Sequence, residues 1–441
     1  MQAFPVQRGY SVLSTAARRL YSASRLEQWA LADQVLVSGL NFATNIILAR
    51  SLGLHGFGLF SLAWIIVQFV NPLQMTVITQ PMMSIGPKKN QAEASSYYGA
   101  VFVQELAFAA AATVIVLAAI PLLATVVREP LLHGLRIPIA AVVCTSSLQD
   151  FARRHFFTRS RPKLAAVIDF ISYGGQVLVL LPLAFGARLT PATALVTIAA
   201  TSLIAISFAA ISRPGLLWPG YEYCLSIAKQ HWRFSRWLAA SAVLSWSSVY
   251  FFPLIAASIL GPVAAGVLRI AASTVGLLNV LFLGLENAVP RNAAQLLSST
   301  GLHAMRSYLM RIAAFATGCT FCIVIAVFAA PGLWMKLMYG SQYEAYGVVL
   351  ELYALVYLVR SLDIPLSAAF RAMEYVKPIF LGYVAGTLYA LAVAPMAARH
   401  FGLAGVAAAM IGCQFLLVLV QFLQLPAGAR HVSARLTACS A

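Results

Sequence analysis

Residues 46–61 read Ile46-Ile47-Leu48-Ala49-Arg50-Ser51-Leu52-Gly53-Leu54-His55-Gly56-Phe57-Gly58-Leu59-Phe60-Ser61. Two apolar runs meet here at a glycine-punctuated corner, where glycine permits backbone turns closed to other residues. The flanking runs extend over about 29–50 and 57–80. Each is long enough to cross a bilayer, because a spanning helix needs about 20 mostly apolar residues. The corner recurs 208 positions later as Leu260-Gly261-Pro262-Val263-Ala264-Ala265-Gly266-Val267. Pro81 and Pro290 end the next spans at an offset of 209. Asp150, Phe157 and Pro182 match Asp363, Phe370 and Pro395 at 213, and Phe185-Gly186 matches Phe401-Gly402 at 216. Any single match is no more than two similar Gly/Pro turns. The offset only grows along the chain, as small loop insertions would make it, and that order predicts a six-helix unit used twice. Six is even, so both units enter from one side and the repeat is parallel. Such repeats are typical of alternating-access transporters, with the substrate site between the halves.

The rest of the chain fits this reading. It has 441 residues, 61% hydrophobic and only 10% charged, with a mean hydropathy of +0.83. A soluble domain carries roughly 45–50% apolar and about 25% charged residues, so a soluble enzyme, a disordered chain and a fibrous chain are excluded. Apolar stretches at 29–50, 57–80, 97–126, 132–150, 164–186, 191–211, 237–260, 263–288, 309–332, 346–369, 377–397 and 402–425 predict an all-α polytopic membrane protein with about twelve spans. The expected organisation is a basic tail (1–28), an N-lobe of spans one to six (29–211), a linker (212–236), a C-lobe of spans seven to twelve (237–425) and a C-tail (426–441).

Net charge is +17. Of the 30 Lys and Arg, 22 fall in the two tails and the even-numbered connections, and five fall in the odd-numbered ones. The positive-inside rule then places both termini in the cytoplasm, and the alternation itself supports twelve spans. The localisation expected from this count is a membrane crossed many times, with its basic loops on the cytoplasmic side. Residues 1–28 share the basic, Ser-rich composition of a transit peptide but precede no cleavable apolar segment, and read as a cytoplasmic tail. The linker carries Trp218, Tyr221, Tyr223 and Trp232 beside Lys229, Arg233 and Arg236, a composition suited to a helix lying on the membrane surface. Cys319 and Cys322 form a CxxC inside an apolar run and read as two small residues on one helix face rather than a metal or redox site.

The stretches Ala32-Asp33-Gln34, Ile46–Gly53 and Gly56–Ser61, with the basic segment Arg153–Arg161, resemble bacterial lipid-linked oligosaccharide flippases. These are the polysaccharide transporters, or O-antigen flippases, of the superfamily that includes the multidrug and toxic-compound extrusion (MATE) proteins. The likeness is strongest over 30–90 and rests on structural turns rather than chemical signatures. It implies two V-shaped six-helix lobes. It also implies flipping of polyprenyl-diphosphate-linked sugars from the cytoplasmic to the outer leaflet.

Polar residues inside a span are costly, so each is a candidate functional group. Gln34, Ser38, Asn41 and Asn45 fall on one face of span one, and Gln68 and Asn71 on span two. Such a stripe either lines a cavity or bonds one helix to another. Asn71-Pro72 should bend span two, as a hinge or a static kink. On span eight, Arg269, Ser273, Gly276 and Asn287 project within about 60° of each other. Arg269 is the candidate for binding a diphosphate, since the guanidinium fork matches phosphate oxygens; the plainer reading is an arginine snorkelling to headgroups. Arg50 lies off the span-one stripe and reads as a helix-end anchor. Arg360 and Asp363, three apart on span ten, could neutralise each other or form a charge switch. Asp33, Glu105, Asp169 and Glu351 join them as candidates for ion coupling.

These residues bear on four function classes. The leading one is a flippase that binds an anionic lipid-linked glycan in a cationic cleft, driven by a cation gradient; neither GxxxxGKS/T nor GxGxxG occurs, so nucleotide drive is not indicated. A drug/cation antiporter of the same superfamily would want an acidic cavity. A membrane enzyme of polysaccharide assembly would want clustered carboxylates, a metal site or a large external loop. A structural scaffold would explain neither the repeat nor the stripes. The expected partners are the lipid-linked oligosaccharide and membrane lipids, with a polysaccharide polymerase and chain-length machinery as further candidates. No catalytic residue, cofactor, metal or nucleic acid is expected.

Overall fold

A computed structural model describes residues 7–212 and 215–440, with side chains described over 32–90, 93–212, 215–286 and 288–432. Among the described residues the regular elements are all helical. Eight helical stretches are long and apolar enough to cross a membrane. Two of these each hold two spans, because the first breaks at Gly53 (φ 69°, ψ 177°) and the last at Gly402 (φ 60°, ψ −150°). The pair Pro262–Val275 and Leu278–Thr300, bent by 66°, makes one further span. Gly347–Ala372, which carries Arg360 and Asp363 in its middle, completes twelve.

We number these α1 (7–52), α2 (54–85), α3 (Gln91–Val127), α4 (Arg136–Thr158), α5 (Pro162–Phe185), α6 (Pro191–Ile211), α7 (Tyr221–Leu260), α8 (262–300), α9 (Leu302–Ala329), α10 (Gly347–Ala372), α11 (377–401) and α12 (403–440). A short helix, Pro331–Tyr339, lies between α9 and α10. Two π turns interrupt the N-lobe helices: Met75–Thr79 in α2, one turn after Pro72, and Phe170–Gly174 in α5. Proline removes a helix donor and crowds the preceding turn, which accounts for the irregularity expected at Asn71-Pro72.

The repeat is visible in backbone geometry. Gly261 (φ 88°, ψ 170°) adopts the same left-handed, extended conformation as Gly53. The related glycines Gly58 and Gly266 then pack against each other: a Cβ on Gly266 would sit 3.1 Å from the Gly58 Cα, and one on Gly58 would run into the Pro262 carbonyl. Equivalent residues touch each other only on a two-fold axis, as at an isologous interface. In lipid, apolar side chains gain little from meeting one another, and small residues that admit close backbone approach carry helix association.

At this end one core cluster runs through both lobes, from Leu48, Phe57 and Phe60 to Val267, Tyr339 and Leu350. Arg50 reinforces it, donating from Nε to the Met338 carbonyl at 2.9 Å and from Nη2 to the Leu337 carbonyl. A cation at the C-terminus of helix Pro331–Tyr339 meets its orphan carbonyls and the negative dipole end. Gln342 Nε2 and the Tyr343 hydroxyl donate to the Ala49 carbonyl at 3.2 and 3.4 Å. At the opposite end the cores separate. Two clusters there belong chiefly to α2–α6, and another to α8–α10 and α12. The lobes are thus joined at the Gly53/Gly261 end and parted at the other.

Two expectations need correction. The stretch 212–236 does not hold a separate surface helix; from Tyr221 it is the first part of α7, a continuous 40-residue helix. With no proline before Pro253, nothing in the sequence stops it. Its start packs on the N-lobe, where the Tyr97 hydroxyl and His231 Nε2 are 2.9 Å apart, and its later turns pack in the C-lobe. Arg153 and Arg154, counted as loop charges, lie on α4, which runs to Thr158 because its first breaker is Pro162.

Candidate functional site

The polar stripe of α1 faces the other lobe at its upper end. Gln34 Nε2 donates to Ser38 Oγ at 3.4 Å and Asn45 Nδ2 to the Asn41 carbonyl at 3.0 Å, both local contacts. Asn45 Oδ1 accepts from Arg269 Nε across the lobe interface at 3.1 Å. The Arg269 guanidinium also sits 5.1 Å from the Phe60 ring and 5.0 Å from the Trp64 ring, both on α2. A charge at membrane depth costs about 2.5–3.5 kcal/mol on an insertion scale. Desolvated cation–π contacts worth about 2 kcal/mol each offset much of this. Among the described residues neither terminal guanidinium nitrogen makes a hydrogen bond, so the fork is unused by the protein there. Beside it Gln68 Nε2 donates to the Tyr250 hydroxyl at 2.9 Å, a second polar link between the lobes. Asn71 is half-buried one turn further along α2.

The expected stripe on α8 does not hold. The helix bends by 66° between Val275 and Leu278, so residues beyond Gly276 leave the Arg269 face. Ser273 belongs to the same straight segment as Arg269, and its neighbour Thr274 is the residue whose hydroxyl meets Tyr339, at 2.9 Å. The Asn287 side chain lies outside the described residues.

The candidate carboxylates are mostly engaged. Asp33 on α1 and Asp169 on α5 both bond Arg153 of α4, with Arg153 Nη2 to Asp33 Oδ2 at 2.7 Å and Arg153 Nε on Asp169 Oδ2. Both carboxylates are 0% exposed and the arginine 20%. Two carboxylates and one guanidinium leave this buried cluster one negative charge in excess, which a single proton or cation would neutralise. Glu105 accepts from Gln74 Nε2 at 3.0 Å, one residue before the π turn of α2. In the C-lobe, Asp363 Oδ1 accepts from Gln421 Nε2 at 2.6 Å and from Ser367 Oγ at 3.2 Å. The expected Arg360–Asp363 ion pair is therefore not made: Gln421, from α12, takes the carboxylate. Arg360 packs instead over the Phe282 and Tyr357 rings at 5.8 and 5.5 Å. Glu351 is half-buried, near the start of α10.

Sequence reasoning missed Arg153 as a buried centre, and missed Phe60, Trp64 and Tyr250 as the aromatic setting of Arg269. The signal for Arg153 was its place on a helix that continues without a breaker from Asp150.

Two six-helix lobes that share a core at one end and have separate cores at the other define a multi-pass membrane protein of MATE-like fold. Within it, the chain belongs to the polysaccharide biosynthesis protein family, whose model matches residues 47–348. Solved structures show the same fold. An inward-facing multidrug resistance MATE family transporter of the MOP superfamily superposes with TM-score 0.73 at 14% identity, over 90% of this chain and 94% of that one. The lipid II flippase MurJ, in an inward closed conformation, gives TM-score 0.69 at 12% identity over 90% and 87%. A MOP superfamily transporter from Pyrococcus furiosus, described as having a binding pocket of reverse polarity, gives 0.64 at 14% identity over 94% and 96%. No curated protein matches the chain by sequence.

Proposed function

We propose that this protein flips a polyprenyl-diphosphate-linked oligosaccharide across the bacterial cytoplasmic membrane by alternating access, with both termini cytoplasmic. The observation that carries the reading is the charge of the cleft. Arg269 lies within a span at the meeting of the two lobes and makes no ion pair among the described residues, whereas Asp33, Asp169 and Glu105 are each held by a neighbouring side chain. An unpaired cation there favours an anionic substrate, and its guanidinium fork suits a diphosphate. Family membership adds a polysaccharide pathway as the setting. A drug/cation antiporter would instead need unpaired carboxylates facing the cleft.

Coupling to a cation gradient is assigned to the Asp33–Arg153–Asp169 cluster, whose excess negative charge makes proton or cation uptake favourable. Asp363, Glu105, Glu351 and Arg360 are secondary candidates. The lipid tail stays in the bilayer while the head group enters between the lobes.

Replacing Arg269 with Ala tests the reading. Surface polysaccharide should fall and the lipid-linked precursor accumulate, at normal protein level in the membrane. Unchanged export would remove Arg269 from the mechanism. Intact polysaccharide with drug hypersensitivity in a deletion strain would favour the antiporter.

A further inference from the structure

A cavity of about 190 Å³ lies wholly inside the C-lobe, between α7, α8, α10, α11 and α12. It is separate from the Arg269 contacts with the N-lobe but adjoins them: Ser248 lines it, two residues before Tyr250, the partner of Gln68. Its walls combine two kinds of surface. Tyr353 and Tyr357 present neighbouring rings, 6.0 Å between centroids. Around them stand the Arg360 guanidinium, the Glu286 carboxylate, the Gln414 amide and the Tyr353 hydroxyl. These four groups line the cavity and make no hydrogen bond to protein among the described residues.

The charges narrow the occupant. Arg360 and Glu286 stand in the wall with opposite charges, and Asp363 already accepts from Gln421 and Ser367. No group of three His, Cys, Asp or Glu able to hold a metal occurs among the described residues. An anion meets two carboxylates, Glu286 and Asp363, against one guanidinium. A neutral polyhydroxylated ring satisfies every wall. Each hydroxyl both donates and accepts, which matches a mixed set of donors and acceptors. The C–H face of a pyranose packs on the negative face of an aromatic ring. The volume far exceeds the roughly 10–15 Å³ one water needs on the same measure, so it is too large for a lone ion and admits a ring-sized ligand.

We propose that this C-lobe cavity is a sugar subsite that takes one neutral pyranose of the transported glycan, beside the diphosphate site at Arg269. The proposal rests on the flippase reading for its biological meaning, but the pocket can be tested without transport. Purified full-length protein in lipid nanodiscs is titrated with methyl glycosides of glucose, galactose, mannose and N-acetylglucosamine, with methyl glucuronide, sodium phosphate and sodium chloride as alternatives, and read by saturation-transfer NMR and calorimetry. At least one neutral glycoside binds. Gln414→Leu and Tyr353→Phe, each checked for folding by gel filtration and thermal unfolding, weaken it about tenfold. Two substitutions are used so that one folded variant suffices. The proposal is overturned if no neutral glycoside binds, if folded variants bind it unchanged, or if glucuronide, phosphate or sodium binds and the neutral glycosides do not. Glycoside binding alongside intact polysaccharide export in a deletion strain would sink the flippase reading and leave the pocket. Arg269-dependent export without glycoside binding would do the reverse.

Discussion

Substituting Gly58 with Ala should loosen the closed end of the molecule, and the structure sets the size of the effect. The added methyl would run into the Pro262 carbonyl, a backbone atom that cannot rotate away. Overpacking of this kind costs about 1–3 kcal/mol when the surroundings must shift. Here the clash exists only while the lobes meet, so the cost falls on the closed state alone and moves the equilibrium toward opening by about 5–150-fold. The assay is the labelling rate, by a membrane-impermeant maleimide, of a cysteine placed at Ala49 in a background lacking the six native cysteines. Ala49 is fully buried at the joined end, where Gln342 and Tyr343 of the other lobe donate to its carbonyl, so it is reached only when that end opens. Labelling should accelerate in Gly58→Ala. Gly266→Ala should act in the same direction, and the double substitution should cost less than the two single costs combined, because one separation of the lobes relieves both clashes. Unchanged labelling, or strictly additive costs, would refute the reading of Gly58 and Gly266 as a contact on the repeat axis.

Arg50→Ala removes two hydrogen bonds onto the end of helix Pro331–Tyr339 and should raise the same labelling rate, with a cost to the closed state of about 1–2 kcal/mol. Arg153→Ala strands the buried carboxylates Asp33 and Asp169; thermal unfolding in detergent should show a loss of about 3–5 kcal/mol, partly recovered by adding Asp169→Asn. Arg269→Lys keeps the charge but loses the planar fork and its stacking on Phe60 and Trp64; precursor accumulation should lie between wild type and Arg269→Ala, and full rescue would show that charge alone matters.

The architecture was legible because its determinants are local. A glycine at a left-handed break marks Gly53 and Gly261 as corners, and hydropathy marks the spans between them. The helical stripe expected to run from Arg269 to Asn287 is interrupted by a bend after Val275 that no composition change announces. What stayed hidden depends on distant partners. Spacing alone made Arg360 a natural mate for Asp363, yet Gln421, 58 residues away, claims the carboxylate. Arg153 looked like one of a run of loop charges; only the three-dimensional arrangement brings Asp33, 120 residues earlier, against it. The continuity of α7 was readable in principle from the lack of a breaker between Tyr221 and Pro253. Its aromatic and basic surface suggested a separate element instead.

On the proposed reading, Arg269 also explains how substrate and conformation can be linked. The residue belongs to the C-lobe, but all its polar and cation–π contacts are to the N-lobe: Asn45, Phe60 and Trp64. A ligand moves a conformational equilibrium only by binding the two states unequally. A diphosphate that draws the guanidinium toward itself competes with those three contacts, which help hold the lobes together at the closed end. Its binding therefore weakens closure in proportion to the contacts it displaces. The Gln68–Tyr250 link remains, because neither group is charged and neither competes for phosphate as strongly. Arg269→Ala should then uncouple the two effects, removing substrate binding while also loosening the closed state through loss of the same contacts. In the maleimide assay, the variant should label faster than wild type without substrate and show no further acceleration when a diphosphate-bearing lipid is added. Acceleration by that lipid in the variant would place its binding elsewhere in the cleft.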